Sequence, residues 1–114
     1  MVDCIFCKII NGEIPSSKVY EDELVYAFED INPSAPVHVL IVPKEHIASL
    51  EEMDERHTSL IGHLHLVASK IAKERKIDES GYRFLTNVGK DGGQSVFHLH
   101  YHLLGGRTLQ WPPG

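Results

Sequence analysis

Cysteine is scarce: two residues, Cys4 and Cys7, in a chain of 114. Two thiols three positions apart build no secreted disulfide framework. Positive charge is also in short supply. Lys and Arg number 11 against 16 Asp and Glu, a formal net charge of −5. That balance argues against a general nucleic-acid or anionic-membrane binder, so any anion must be met by aimed donors. Long apolar runs are missing, and no stretch approaches a membrane span. The N-terminus, Met1-Val2-Asp3-Cys4, has no basic region followed by an apolar one. No secretory signal is expected there, and a cytoplasmic location is the default. Internal repeats and low-complexity segments are absent too. What remains is an ordinary globular composition, 42% hydrophobic and 24% charged. The length suits one domain, 1–114, with one core.

Along the chain, residues 4–11 read as a short helix, with Asp3 as N-cap and Gly12 at its end. Ile14-Pro15-Ser16-Ser17 is a turn. Strands are expected over 18–21 and 24–29, around Asp22-Glu23. Two prolines make 30–36 a loop. Val37–Val42, interrupted only by His38, has the pattern of a central strand covered on both faces. The main helix is predicted over 54–76: Asp54 is its candidate cap, and Leu60, Leu64, Val67 and Ile71 form its apolar stripe. Residues 82–88 form another strand. The glycine-rich loop 89–95 leads into the stretch 97–104, and Gly105-Gly106 ends it. About five strands, a short N-terminal helix and one long helix suggest an α+β domain, an antiparallel sheet with helices on one side.

The stretch Phe97-His98-Leu99-His100-Tyr101-His102-Leu103-Leu104 alternates histidine with apolar residues. A strand separates the two chemistries, with His98, His100 and His102 on one face and Phe97, Leu99, Tyr101 and Leu103 in the core. Successive histidines would lie about 6.5 Å apart, and the outer two about 13 Å. All three cannot ligate one tetrahedral zinc. A neutral imidazole is a nucleophile and base near neutral pH. Gly92, Gly93, Gln94 and Ser95 precede the histidines, and glycine lets backbone N–H groups approach an anion. Together these features point to phosphoryl or nucleotidyl transfer, with Ser95 as a proton donor.

His98-Leu99-His100-Tyr101-His102-Leu103-Leu104 resembles the signature of the histidine triad superfamily. The flanks Gly92–Val96, Gly105-Gly106-Arg107 and Trp111-Pro112-Pro113-Gly114 are similar to its nucleotide-binding protein branch. So are Ile5–Ile10, Asp30-Ile31-Asn32-Pro33 and Ala35–His38. The resemblance implies a homodimer whose sheets join across the interface. It also implies hydrolysis of purine nucleoside phosphoramidates, such as an adenosine phosphoramidate that releases AMP. On this resemblance His100 is the nucleophile, His102 contacts the phosphate, Ser95 protonates the leaving amine, and His98 and His38 orient the nucleophile. Asp30 accepts from the ribose, and Asn87, Gly93, Ser95 and Val96 surround the phosphate. Ile5, Phe6, Ile9, Phe28 and Ile31 form the slot for the base, and Trp111 lies near the partner's site.

Plainer roles stand beside these. Asp30 also suits a turn, Asn87 a strand end, His38 a satisfied core position, and Phe6, Phe28 and Ile31 a core. His57, His63 and His65 lie outside the motif and read as surface or structural. Cys4-x-x-Cys7 is a candidate pair of zinc ligands. The superfamily resemblance completes the set with His46 and His98. Such a zinc would be structural, since four ligands leave no open position, and catalysis would require no metal. A half-buried cysteine pair on a helix is the alternative. The competing functions are a dinucleoside polyphosphate hydrolase, a non-catalytic purine nucleotide sensor and a small metal-binding module.

Overall fold

The computed structural model describes residues 3–114; Met1 and Val2, the start of the expected domain and of the stretch without a leader pattern, lie outside the described residues. Five strands form one antiparallel sheet: β1 (Lys18–Glu21), β2 (Val25–Glu29), β3 (Val37–Pro43), β4 (Tyr82–Thr86) and β5 (Tyr101–Gly105), in the order β1-β2-β3-β5-β4. Two helices accompany it, α1 (Ile5–Ile10) and α2 (Thr58–Glu74). The expected five-stranded antiparallel sheet with one short and one long helix is therefore present.

The side-chain period of two sorts β2 and β3 into two cores. Val25, Ala27, Val39 and Ile41 face α2, where they meet Leu64, Val67, Ala68 and Ile71. Tyr26, Phe28, Leu40 and Val42 face the other way and meet Cys4, Phe6 and Ile9 of the α1 segment. The helices thus cover opposite faces, correcting the expectation that both lie on one side. The reason is visible in β3, whose residues 38–43 are all buried. An apolar strand of that kind needs cover on both faces.

Several ends differ from the sequence reading. Helix α1 is capped by Cys4, whose sulfur accepts from the Cys7 amide at 3.4 Å. Asp3 pairs instead with Lys8 at 3.0 Å. Asp54 caps a single 3-10 turn, Glu55–His57, ahead of α2. Its carboxylate accepts from the Arg56 amide at 2.9 Å, and its own amide donates to His57 Nδ1 at 3.1 Å. Helix α2 stops before Lys76, which sits at φ 58°, and the Ile77 amide turns back to the Ala72 carbonyl at 3.0 Å. Strand β2 begins at Val25 rather than 24, and β4 ends at Thr86 rather than 88.

The largest difference concerns the histidine stretch. Strand β5 begins only at Tyr101. Leu99, Tyr101 and Leu103 do enter the α2-side core, but Phe97 is 61% exposed rather than inside. Other partners claim the backbone before Tyr101. The Leu99 amide donates to the Ile47 carbonyl at 2.6 Å. The His98 carbonyl accepts from His100 Nδ1 at 2.8 Å, and the His100 carbonyl from the Thr86 hydroxyl at 2.8 Å. Groups bonded in this way are not free to extend the ladder.

Candidate active site and metal centre

His100 is 5% exposed, directly ahead of β5, with the Phe6 ring edge-on to its imidazole at 5.0 Å. A backbone carbonyl only accepts, so the bond to the His98 carbonyl puts the neutral ring's proton on Nδ1. Nε2 keeps its lone pair, as a nucleophile requires.

His102 is held in the opposite tautomer. The Ser34 amide donates to His38 Nδ1 at 2.9 Å. His38 therefore carries its proton on Nε2, which lies 2.9 Å from His102 Nδ1 and 3.3 Å from Asp30 Oδ2. With Nδ1 accepting, neutral His102 carries its proton on Nε2. Two neighbouring imidazoles, 5.2 Å apart between centroids, thus offer a lone pair from one and an N–H from the other. Burial pushes the His102 pKa down to about 4, helped by repulsion from His100 and His38 and opposed by Asp30. Burial lowers His38 as well, against the pull of Asp30. Both rings are neutral near pH 7.

The network behind this relay was not apparent in the chain. The Arg107 guanidinium donates twice to the Ser34 carbonyl, at 3.1 and 2.8 Å, and so anchors the loop that fixes His38. Gln94, only 8% exposed, accepts from the Gly89 amide at 3.0 Å and donates to the Ala48 and Val96 carbonyls at 2.8 and 3.0 Å. It pins the glycine-rich loop. At Gly92 an added Cβ would lie 2.5 Å from the Val88 carbonyl oxygen, so glycine alone fits that turn. The Gly93 and Gln94 amides are spent within the loop, on the Lys90 and Gly89 carbonyls. Those of Ser95 and Val96 donate to no acceptor among the described residues.

The other expected residues are placed as follows. Phe6, Ile9 and Phe28 are buried in the α1-side core, with Phe6 and Phe28 edge to face at 5.6 Å. Ile5 and Ile31 are 49% and 92% exposed. Asp30 Oδ1 accepts from the Asn32 amide at 2.8 Å, a turn contact, while Oδ2 faces His38. Asn87 is half-buried just after β4. Ile5, Ser95 and Val96 share a solvent-open groove of about 740 Å3 with Cys4 and His46. Trp111 is exposed, with the Arg83 guanidinium 5.9 Å above its ring. Of the other histidines, His57 caps as described, His63 pairs with Asp22 at 2.6 Å, and His65 packs edge-on against Phe84 at 4.9 Å.

His98 does not lend its ring to His100. The fully buried ring donates Nε2–H to the Pro43 carbonyl at 2.8 Å. Its Nδ1 lone pair points at the sulfurs of Cys4 and Cys7, 3.4 and 3.6 Å away. His46 Nδ1 lies 3.4 Å from the Cys7 sulfur. The four donor atoms all fall within 4.8 Å of one another. A tetrahedral zinc separates its S and N ligand atoms by about 3.6 Å. The cluster fits that ion, and the Pro43 carbonyl supplies the outer partner that orients a ligating histidine. Burial, with Cys4 alongside, pushes the Cys7 thiol up to about 11, a cost that a cation seated there reverses. Asp30, His38 and His102 also converge. They do not fit a cation, because His38 Nδ1 accepts the Ser34 amide and Nε2 is protonated.

A family model described as HIT domain matches residues 11–109. The chain belongs to the HIT family. It is 54% identical over 112 residues to a HIT relative from Zea mays called 14 kDa zinc-binding protein, covering 96% of this chain and 87% of that one. It superposes with a TM-score of 0.97 and 47% identity on a HIT family hydrolase from Legionella pneumophila, over 98% of this chain and 100% of that one. With a histidine triad protein from Clostridium difficile the TM-score is 0.93 at 55% identity, over 96% of each chain. No helix of this HIT chain among the described residues is long and apolar enough to cross a membrane.

Proposed function

We propose that this HIT protein hydrolyses purine nucleoside phosphoramidates, releasing AMP and an amine from an adenosine phosphoramidate by way of a nucleotidyl-histidine on His100. One observation carries the reading: the paired tautomers of His100 and His102. His100 Nε2 attacks the α-phosphorus, a P–N bond forms to His100, and the P–N bond to the amine breaks. His102 Nε2–H and the free amides of Ser95 and Val96 stabilise charge on the phosphate oxygens. The Ser95 hydroxyl gives its proton to the departing amine. Water then attacks phosphorus and gives a proton back to Ser95, the His100–phosphorus bond breaks, and the nucleotide leaves with the ring restored. Asp30 accepts from the ribose, Asn87 and Gly93 border the phosphate, and Ile5 and Ile31 close over the base above Phe6, Phe28 and Ile9. His38 holds the His102 tautomer, and His98 holds His100 through its carbonyl.

Zinc would be bound by Cys4, Cys7, His46 and His98, in keeping with the name of the maize relative. It would supply structural cross-linking and no catalytic chemistry, since its four ligands leave no open position. The setting is cytoplasmic and the partner a small nucleotide, with neither nucleic acid nor membrane involved. The assembly is a homodimer joined through β4. Of the two sheet edges, β1 is bulged between Lys18 and Tyr20 and carries the charged Lys18 and Glu21, which guard against pairing. Strand β4, Tyr-Arg-Phe-Leu-Thr, is regular in its register and carries one charge, Arg83, so it is the less guarded edge. Light scattering at micromolar concentration gives twice the mass of one chain; a stable monomer contradicts the dimer.

Intact-mass analysis during turnover of an adenosine phosphoramidate tests the chemistry. A transient adenylyl adduct is expected. In His100→Ala it disappears and kcat falls by about a thousandfold or more. Turnover by that variant at the wild-type rate would sink the nucleophile assignment.

A further inference from the structure

The groove of about 740 Å3 runs from the metal centre to the loop just ahead of the triad. Cys4 and His46 of the metal centre stand in its wall together with Ser95, Val96 and Phe97 beside the triad. We propose that Cys4 and Cys7 form a redox switch: a peroxide entering the groove oxidises the pair to a disulfide, the metal leaves, and the nucleophile is unseated. The switch presupposes the metal centre and the hydrolase chemistry proposed above.

Three features of the chain support it. The two sulfurs sit one helical turn apart, with the Cys7 amide already donating to the Cys4 sulfur at 3.4 Å. Seated around a tetrahedral zinc they stand about 3.8 Å apart, whereas a disulfide draws them to about 2.05 Å. Closure removes both thiolates from the ligand set, and two imidazoles remain where four ligands stood. The second feature is His98. Its ring points into the cluster while its carbonyl holds His100 Nδ1 at 2.8 Å. A ring without a cation to ligate keeps its bond to the Pro43 carbonyl but loses the partner that fixes Nδ1, and movement there reaches His100 within two residues. The third is α1, which starts between the two cysteines and carries Phe6, whose ring packs on both His98 and His100 at 5.9 and 5.0 Å. Drawing Cys4 and Cys7 together shifts that ring as well.

The chemistry balances with a hydroperoxide as oxidant. The Cys4 thiolate attacks one peroxide oxygen, the O–O bond breaks, and a sulfenic acid forms as the departing oxygen takes a proton to leave as water. The Cys7 thiolate then attacks the Cys4 sulfur, the S–S bond forms, and hydroxide leaves and is protonated. Two sulfurs are oxidised by two electrons in total. Hydrogen peroxide becomes two waters, and the divalent cation departs. A thiol reductant reverses the bond by exchange.

Zinc-loaded protein titrated with hydrogen peroxide tests the switch with four readouts. Released zinc is followed with a colorimetric chelator, and the Cys4–Cys7 bond by intact and peptide mass. The sheltered His100 Nδ1–H is followed by proton NMR, and turnover with an adenosine phosphoramidate. The expected result is one zinc released per disulfide, with a mass loss of two hydrogens. The N–H signal broadens or shifts, and turnover falls by about tenfold or more. Thiol plus zinc restores all four. In Cys4→Ser, peroxide no longer changes the turnover that the variant starts with. Should that variant not fold, the mapped bond in the unmodified protein decides. A disulfide with unchanged N–H signal and turnover overturns the proposal. So does zinc retained after the bond has closed, inactivation of Cys4→Ser at the wild-type rate, or a protein that takes up no zinc. A protein inactive before oxidation rejects the hydrolase reading instead, and the zinc, disulfide and N–H readouts then decide the switch alone.

Discussion

Individual imidazoles do different work in this chain because their second nitrogens meet different partners. His100 faces a carbonyl and is left with a lone pair at Nε2. His102 faces another imidazole and is left with an N–H. His98 faces a carbonyl through Nε2 and is left with a lone pair aimed at two sulfurs. Burial also has a thermodynamic consequence. The folded pKa of His102 is about 4, below the unfolded value of about 6.5. Above pH 6.5 the ring is neutral in both states. Between 6.5 and 4 the unfolded chain takes up the proton and the folded chain does not. Stability therefore falls as pH drops through that window and levels off below it. Denaturant titrations at pH 7 and pH 4.5 are expected to show a loss of order 1–2 kcal/mol from this ring, absent in His102→Asn.

At the level of elements, the sheet is held between two unequal covers. Helix α2 contributes Leu64, Val67, Ala68 and Ile71, all essentially without exposure. Helix α1 contributes Phe6 and Ile9. Leu64→Ala leaves a cavity in the α2 layer and is expected to cost about 2–5 kcal/mol, read as a lower denaturation midpoint. Leu66, two residues on but 70% exposed, provides the control. Leu66→Ala should change the midpoint by less than about 0.5 kcal/mol. Equal losses in the two would contradict the packing. The opposite layer is smaller, yet the triad lies on that side. Phe6 touches His100 while its own segment carries the two cysteines, so the short helix is in contact with both groups of side chains.

For the whole molecule, the proposed zinc ties three distant parts of the chain, the α1 entry, the segment after β3 and the entry to β5. Ligand linkage stabilises a folded protein by about 2.7 kcal/mol at a hundredfold excess over Kd. Stripping the metal with a strong chelator is expected to lower the thermal midpoint by several degrees, and adding back one equivalent of zinc restores it. Elemental analysis of the loaded protein gives one zinc per chain. A midpoint indifferent to both treatments would mean that the four side chains hold no structural ion. Burial of His98 and Cys4 makes the effect global, since both lie in the packed layer beneath α1.

Periodicity made much of this architecture legible. The nearly continuous apolar run of 37–42 and the alternation in 99–103 marked the sheet interior, and the spacing of Leu60, Leu64, Val67 and Ile71 marked the helix that covers it, because burial acts directly on pattern. The grouping of Cys4, Cys7, His46 and His98 was legible only through a family resemblance, since ligands 94 residues apart have no local signature. Gln94 and Arg107 stood in the flanks that carry the resemblance, but the roles of Ser34, Gln94 and Arg107 left no readable signal, as they lie in hydrogen bonds to backbone groups from other segments. Sequence alone therefore determined which residue types lie on which face. Only the tertiary structure decided which nitrogen of each histidine is free. A tautomer is set by the acceptor or donor that folding brings to the other side of the ring.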